Sequence, residues 1–195
     1  PRLSLKDQSL YDQIPALAAS GVASLKIEGR LRSPGYVGTV VGVYRRALDG
    51  EALPGDADRL LQAFNRGGDF TDGYWTDRRS PSMRAGAWPG SHGVLLGPVA
   101  SVDSSAGRLV VDVADSGRAL PGRGDVLAIR RDAREVASAP VGQIDLIASR
   151  ALAVKGFHPD VLRTLRIGDQ VYRMTDAAQE RVSEAADRRK TEVEM

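Results

Sequence analysis

The spacing of apolar and polar positions divides the chain into two textures. In the first third, strand-like and helix-like runs alternate. Leu3-Ser4-Leu5 predicts a short strand that ends at Lys6-Asp7. Ile14, Leu17, Ala18 and Gly21 then recur at helical spacing, predicting a helix over residues 10–19 in which Pro15 fits only if the first turn starts there. Gly21 closes that helix, and residues 22–27 read as the next strand, an apolar run that stops abruptly at Glu28-Gly29-Arg30. Ser33-Pro34 is a helix entry, because Ser caps free amides and Pro tolerates the first helical position. Val37, Val40, Val41, Tyr44 and Leu48 mark one face of the helix that follows, and Gly50 fits its C-terminal stop. The order strand, helix, strand, helix predicts a parallel sheet covered by helices. Two such units complete neither a sheet nor a barrel, so partner strands are expected upstream and the chain reads as a piece of something longer.

A short helix is predicted from residue 57 to about 64. Residues 65–93 are rich in Gly, Arg, Pro, Asp and Ser and carry Trp75 and Trp88, whose rings are expected to anchor the segment by burial. From Gly93 onward the texture is all-β, with strands predicted at residues 94–102, 108–113, 125–130, 136–147, 151–155 and 170–173. Two stretches echo each other: Leu120-Pro121-Gly122-Arg123-Gly124-Asp125-Val126-Leu127 and Leu165-Arg166-Ile167-Gly168-Asp169-Gln170-Val171-Tyr172. Each carries a Gly-Asp turn that opens a strand. Six short strands with recurring turns predict a small closed barrel, which removes exposed edges. The predicted fold class is therefore α/β plus all-β: a partial TIM-like (β/α) barrel segment followed by a small six-stranded β-barrel. The predicted divisions are 1–66 for the β/α units, 67–92 for an irregular wrap, 93–175 for the barrel and 176–195 for a charged tail.

Composition narrows the chemistry. Hydrophobic residues at 42% and charged residues at 27% are ordinary for a globular chain, and no apolar run approaches the roughly 20 residues of a membrane helix. The net charge of +2 does not by itself argue for nucleic-acid binding. Cysteine is absent, which rules out disulfides and thiolate metal sites within these residues and is compatible with a cytoplasmic location. Just two histidines, His92 and His158, are present, so a zinc site would need carboxylates gathered from elsewhere. No metal ligand set and no cofactor is predicted within the chain.

The strand-end cluster carries the candidate chemistry. Lys26, Glu28, Arg30 and Arg32 crowd four ionisable groups into seven residues where a β/α strand would reach the functional rim of its sheet. Glu28 and Lys26 are candidates for proton transfer, and Arg30 and Arg32 for clamping an anionic substrate group. Lys26–Glu28–Arg30 read structurally is an ion-pair network closing the rim. Lys6 and Asp7 end the preceding strand and would face the same rim, either acting on substrate or tying a loop to its neighbour. Asn65-Arg66-Gly67-Gly68 could cradle phosphate through backbone amides, or be a plain Gly-rich turn. Arg78, Arg79 and Arg84, interleaved with the two Trp, have the composition of an RNA-contacting loop or of an ordinary solvated one.

Several spaced motifs resemble one family. Leu3-Ser4-Leu5-Lys6-Asp7, Ile14-Pro15-Ala16-Leu17, the stretch from Gly21 through Ile27-Glu28-Gly29-Arg30, Ser33-Pro34-Gly35-Tyr36-Val37, Phe64-Asn65-Arg66-Gly67 and Phe70-Thr71-Asp72-Gly73-Tyr74 occur in the order seen in the collagenase-like peptidases, family thirty-two of unknown catalytic type. The resemblance implies a (β/α) barrel followed by a β-barrel similar to those of translation factors. It also implies one of two activities. One is the collagen degradation recorded in the family's name; the other is oxygen-independent hydroxylation of ribosomal RNA, transfer RNA or a quinone precursor with an iron–sulfur cluster. The cluster cysteines of such members lie upstream of the Ser-Leu-Lys-Asp motif, and this sequence contains none of them. The expectation is an RNA-modifying enzyme as parent, with a true peptidase and a non-catalytic RNA- or protein-docking barrel as alternatives. RNA or protein is the expected partner, with no membrane, and the isolated piece is expected to be inactive.

Overall fold

The computed structural model describes residues 4–76, 83–85, 90–113, 120–179 and 181. Residues 4–9 run extended and are held from both sides. Lys6 N–H donates to the Met83 carbonyl and Ala85 N–H to the Ser4 carbonyl, while Thr71 pairs with Asp7 and Ser9 through its own N–H and C=O, all at 2.9–3.0 Å. The bridges are antiparallel at Leu5–Arg84 and parallel at Gln8–Thr71. A 3₁₀ turn, Tyr11–Gln13, leads into α1, Ile14–Ala19, with Pro15 in its first turn as the sequence requires.

Helix α2, Pro34–Leu48, starts where the Ser33 Oγ accepts the Tyr36 N–H at 3.2 Å. It packs on α3, Asp56–Ala63, through Val40, Val43 and Leu60, ringed by Tyr11, Tyr36, Tyr44 and Phe70. Asp56 is buried and joins the two helices: it accepts from the Leu53 N–H at 2.9 Å, from Arg46 at 2.7 Å and from Arg59 at 2.8 Å. Burial pushes this carboxyl up, but those three donors outweigh it and hold it below the usual carboxylate range.

Two expectations fail in this part of the chain. Residues 22–27 form no strand; they run irregularly and mostly exposed, with no ladder partner. Apolar alternation suffices for a strand only when a neighbour supplies hydrogen bonds. The described residues accordingly provide no parallel ladder for a (β/α) segment. The predicted apolar face of α2 also splits: Val40 is buried, whereas Val37 and Val41 stay 49% and 47% exposed because α3 covers a single side. In the wrap, Trp75 is 46% exposed and buries its ring only in part. Trp88, Arg78 and Arg79 lie outside the described residues, as does Leu3, while Arg84 is taken up in the bridge to Leu5.

The all-β part closely follows the predicted strands. They are β1 Val94–Asp103, β2 Arg108–Asp112, β3 Val126–Arg131, β4 Arg134–Pro140, β5 Gln143–Ala148, β6 Ala151–Lys155 and β7 Gln170–Arg173, with a short α4, Pro159–Leu162, before β7. Neighbouring strands pair antiparallel in the order β4-β3-β7-β1-β2-β6-β5. The run predicted over 136–147 breaks at Val141-Gly142 into β4 and β5, so the two ends of that order are successive halves of one bent strand. β1 bends the same way, pairing with β7 before Val99 and with β2 after it. The arrangement is barrel-like, and it encloses one core built from both halves, including Leu96, Leu109, Leu127, Ile129, Leu152 and Val171.

The two echoing stretches prove to be one motif used twice. Asp125 N–H donates to Gly122 C=O and Asp169 N–H to Arg166 C=O, and each carboxylate accepts from the amide three residues back at 2.8 Å. Gly124 and Gly168 take φ of +92° and +91°, which these turns need and side-chain-bearing residues resist. Each turn clasps the bend of the long strand opposite: Val141 pairs with Gly124 and Asp125, and Val99 with Gly168 and Asp169. Charge pairing is likewise reciprocal, Arg131 at the end of β3 with Asp169, and Arg173 at the end of β7 with Asp125, each at 2.7 Å. The barrel therefore has an internal pseudo-two-fold repeat.

Candidate functional site

A cleft of about 650 Å³ opens where the extended segment 4–9, the irregular strand-end segment and helices α2 and α3 meet. Seven of the eight residues proposed from sequence line it: Lys6, Asp7, Lys26, Glu28, Arg30, Arg32 and Arg66. Tyr36, Tyr44, Phe64 and Phe70 contribute aromatic surface to the same cleft.

Each charged group has a distinct setting. Asp7 is neutralised by Arg66, whose Nη2 and Nε donate to Oδ1 at 2.8 and 3.1 Å while its backbone N–H donates to Oδ2 at 2.8 Å. The hydrogen bond to Asp7 raises the already high Arg66 pKa, so Arg66 remains a cation. Lys6 is fixed through its backbone by Met83, and its side chain is only 18% exposed. Its one ion-pair contact among the described residues is an outer one, 3.9 Å to the exposed Asp69. Lys26 and Glu28 pair at 2.8 Å on the rim, 85% and 77% exposed. That hydrogen bond lowers the Glu28 pKa and raises that of Lys26, holding both charged; a general acid or base at neutral pH needs the opposite displacement. Arg32 has no carboxylate partner among the described residues. Its guanidinium lies 3.4 Å from the Phe64 ring centroid and 5.4 Å from that of Tyr36.

Asn65 falls outside the cleft. Fully buried, it donates to the Leu61 and Gly93 carbonyls at 2.9 Å and accepts the Gly68 N–H at 2.8 Å, while its own carbonyl accepts the His92 N–H. Its amide is thereby committed to joining α3 to the start of β1, next to the buried Gln62 Nε2 bond to the Arg173 carbonyl. The four aromatic residues went unrecognised as cleft components in the sequence. No local spacing signals them, because Tyr44, Phe64 and Phe70 reach the cleft from separate elements.

Five cations against two carboxylates, both already paired, give the cleft a positive balance over ring surfaces. Chemically it can hold an anion at Lys6 and Arg30 and a planar group against Arg32. Fold and cleft together define a helical segment bearing a cationic cleft, joined to a barrel-like all-β unit. Residues 2–84 match the model of peptidase family U32. The chain is 51% identical over 47 residues to "tRNA hydroxylation protein P1" of Bacillus subtilis, covering 24% of this chain and 11% of that protein. It is 35% identical over 99 residues to a "Collagenase" of Porphyromonas gingivalis strain W83, covering 47% and 22%, and 34% identical over 99 residues to a second from the same species, covering 47% and 26%. The matched stretches thus span between about a tenth and a quarter of these relatives' lengths. No solved structure matches the chain.

An iron–sulfur cluster does not fit this chain. It has no cysteine, and among the described residues no group of three or more His, Cys, Asp or Glu could hold a metal ion. No helix among those residues is long and apolar enough to cross a membrane.

Proposed function

We propose that this chain supplies the substrate cleft of an RNA-modifying enzyme of the RNA-hydroxylating kind, with the redox chemistry provided by parts of the protein outside these residues. The cleft itself carries the reading: five cations, two pre-paired carboxylates and four aromatic rings suit a phosphate-bearing, ring-bearing polymer. The match to a protein named for tRNA hydroxylation supports it. In this reading Lys6 and Arg30 meet phosphate, Arg66 keeps Asp7 and hence the Lys6 backbone in place, and Lys26 and Glu28 border the entrance. Strands contributed by a longer protein would pair with residues 22–27 and complete a (β/α) sheet.

The names of the two collagenases favour hydrolysis as the second reading. Against it, the described residues lining the cleft include neither His nor Cys, and their one aliphatic hydroxyl, that of Ser9, is hydrogen-bonded to the Tyr44 hydroxyl at 3.0 Å rather than to a base. The test is titration of the full chain with tRNA and with denatured collagen at several salt concentrations. RNA binding that weakens with salt, and weakens further in Lys6→Met, is the expected result. Cleavage of denatured collagen with no RNA binding would replace this reading with the peptidase one.

A further inference from the structure

Resting on the RNA reading of the cleft, we propose that it holds one unpaired nucleotide, with the base lying against the Arg32–Phe64 stack and the phosphate at Lys6. Three observations carry this. First, the Arg32 guanidinium carbon sits 3.4 Å from the Phe64 ring centroid with no carboxylate partner among the described residues, so its charge is available and the group is held over the ring. A guanidinium ordered in this way is a stacking platform for a base, and a lysine at the same place would carry charge without a plane. Second, the platform is locally braced. A Cβ added at Gly29 would stand 2.9 Å from Tyr36 Cε1 and 3.2 Å from Arg32 Cγ, so the backbone approaches both side chains closely, and the Tyr36 hydroxyl donates to the Glu28 carbonyl at 3.4 Å. Third, about 650 Å³ lies within the range of pockets for small ligands, about 300–1,000 Å³, which accommodates a monomer unit rather than a duplex.

The geometry divides the labour between two residues. Lys6, little exposed and clamped through its backbone by Met83, supplies charge that does not depend on base identity or presence. Arg32 offers the same charge to any strand and adds stacking only when a base is there. A base inside a helix is unavailable to such a surface, because it is already stacked and paired. The cleft therefore selects single-stranded segments or nucleotides turned out of a duplex.

The experiment measures binding of the full chain, by fluorescence anisotropy at fixed salt, to three probes: a short single-stranded RNA, the same strand annealed to its complement, and the same backbone lacking bases. The unsubstituted protein should prefer the base-bearing single strand over both others. Arg32→Lys should cost about tenfold on that strand and leave the abasic strand unchanged. Phe64→Leu, which keeps an apolar side chain under the guanidinium, should act in the same direction. Lys6→Met should weaken both single strands alike. Equal affinity for base-bearing and abasic strands, or an equal loss on both in Arg32→Lys, would overturn the stacking proposal and leave RNA binding intact. Failure of every probe to bind would overturn the RNA reading itself. Circular dichroism of each variant separates these outcomes from misfolding.

Discussion

Removing the carboxylate of Asp169 tests whether the repeated Gly-Asp turn holds the barrel together. Asp169 is almost fully buried and accepts from Arg131 Nε and Nη2 at 2.7 Å each and from the Arg166 N–H at 2.8 Å. In Asp169→Ala all three donors lose their acceptor at once. Breaking a buried pair from one side typically costs 3–5 kcal/mol, because the remaining charge stays desolvated. Arg131 is 26% exposed and keeps the Thr164 carbonyl at 2.9 Å, so the lower end, about 3 kcal/mol, is the appropriate figure. That corresponds to a fall in Tm of about 6–12 °C for a chain of this size. Urea unfolding followed by far-ultraviolet circular dichroism measures it, and Asp169→Asn should lose less because the amide oxygen can still accept from Arg166. A loss below about 1 kcal/mol in Asp169→Ala would refute the assignment of a structural role to the turn.

The Arg131 hydrogen bond holds the Asp169 carboxyl below the usual carboxylate range despite its burial, and the donors around Asp56 do the same there. Both contributions are fully present above the unfolded value of about 3.9 and fade as pH drops through the lower folded values, so urea midpoints should hold from pH 7 to about 5 and decline below about 4. Asn65→Ala strands two carbonyls and one amide in the interior and should destabilise by about 2–4 kcal/mol while RNA affinity per folded molecule is unchanged; thermal unfolding and anisotropy check the two halves. Gly93→Ala would place a Cβ 2.4 Å from the Arg173 carbonyl oxygen, whereas Gly168→Ala meets open space and only the strain of φ +91°; the first should cost more than the second, which should cost about 1 kcal/mol, in parallel urea titrations.

The barrel was far more legible in the sequence than the helical part. Its strands alternate faces with a period of two and are bounded by turns whose chemistry is local, so residues 151–155 and 170–173 could be placed to the residue. The echo of the two Gly-Asp stretches was also visible, but not that each clasps the bend opposite or that Arg131 and Arg173 exchange partners, since those contacts join residues far apart in the chain. For the cleft, clustered charges pointed to Lys6, Asp7, Lys26, Glu28, Arg30 and Arg32 because unpaired strand-end charge is unusual, and the Gly-rich turn at residues 65–68 pointed to Arg66. Asn65 was assigned to substrate because Asn65-Arg66-Gly67-Gly68 could cradle phosphate through backbone amides, although its side-chain amide serves the interior; a lone polar residue in sequence carries no sign of its burial.

By itself, the order of residues determined what is set over a few positions: the Ser33 cap, the Pro15 start, the turn at each Gly-Asp pair and the alternating faces of the barrel strands. Tertiary structure alone decided which apolar positions find cover and which charges find partners. Residues 22–27 carry a strand's pattern yet have no ladder, because a strand's hydrogen bonds belong to its neighbours. Arg32 and Phe64 stack across 32 positions of chain, because packing α3 against α2 brings them to one wall.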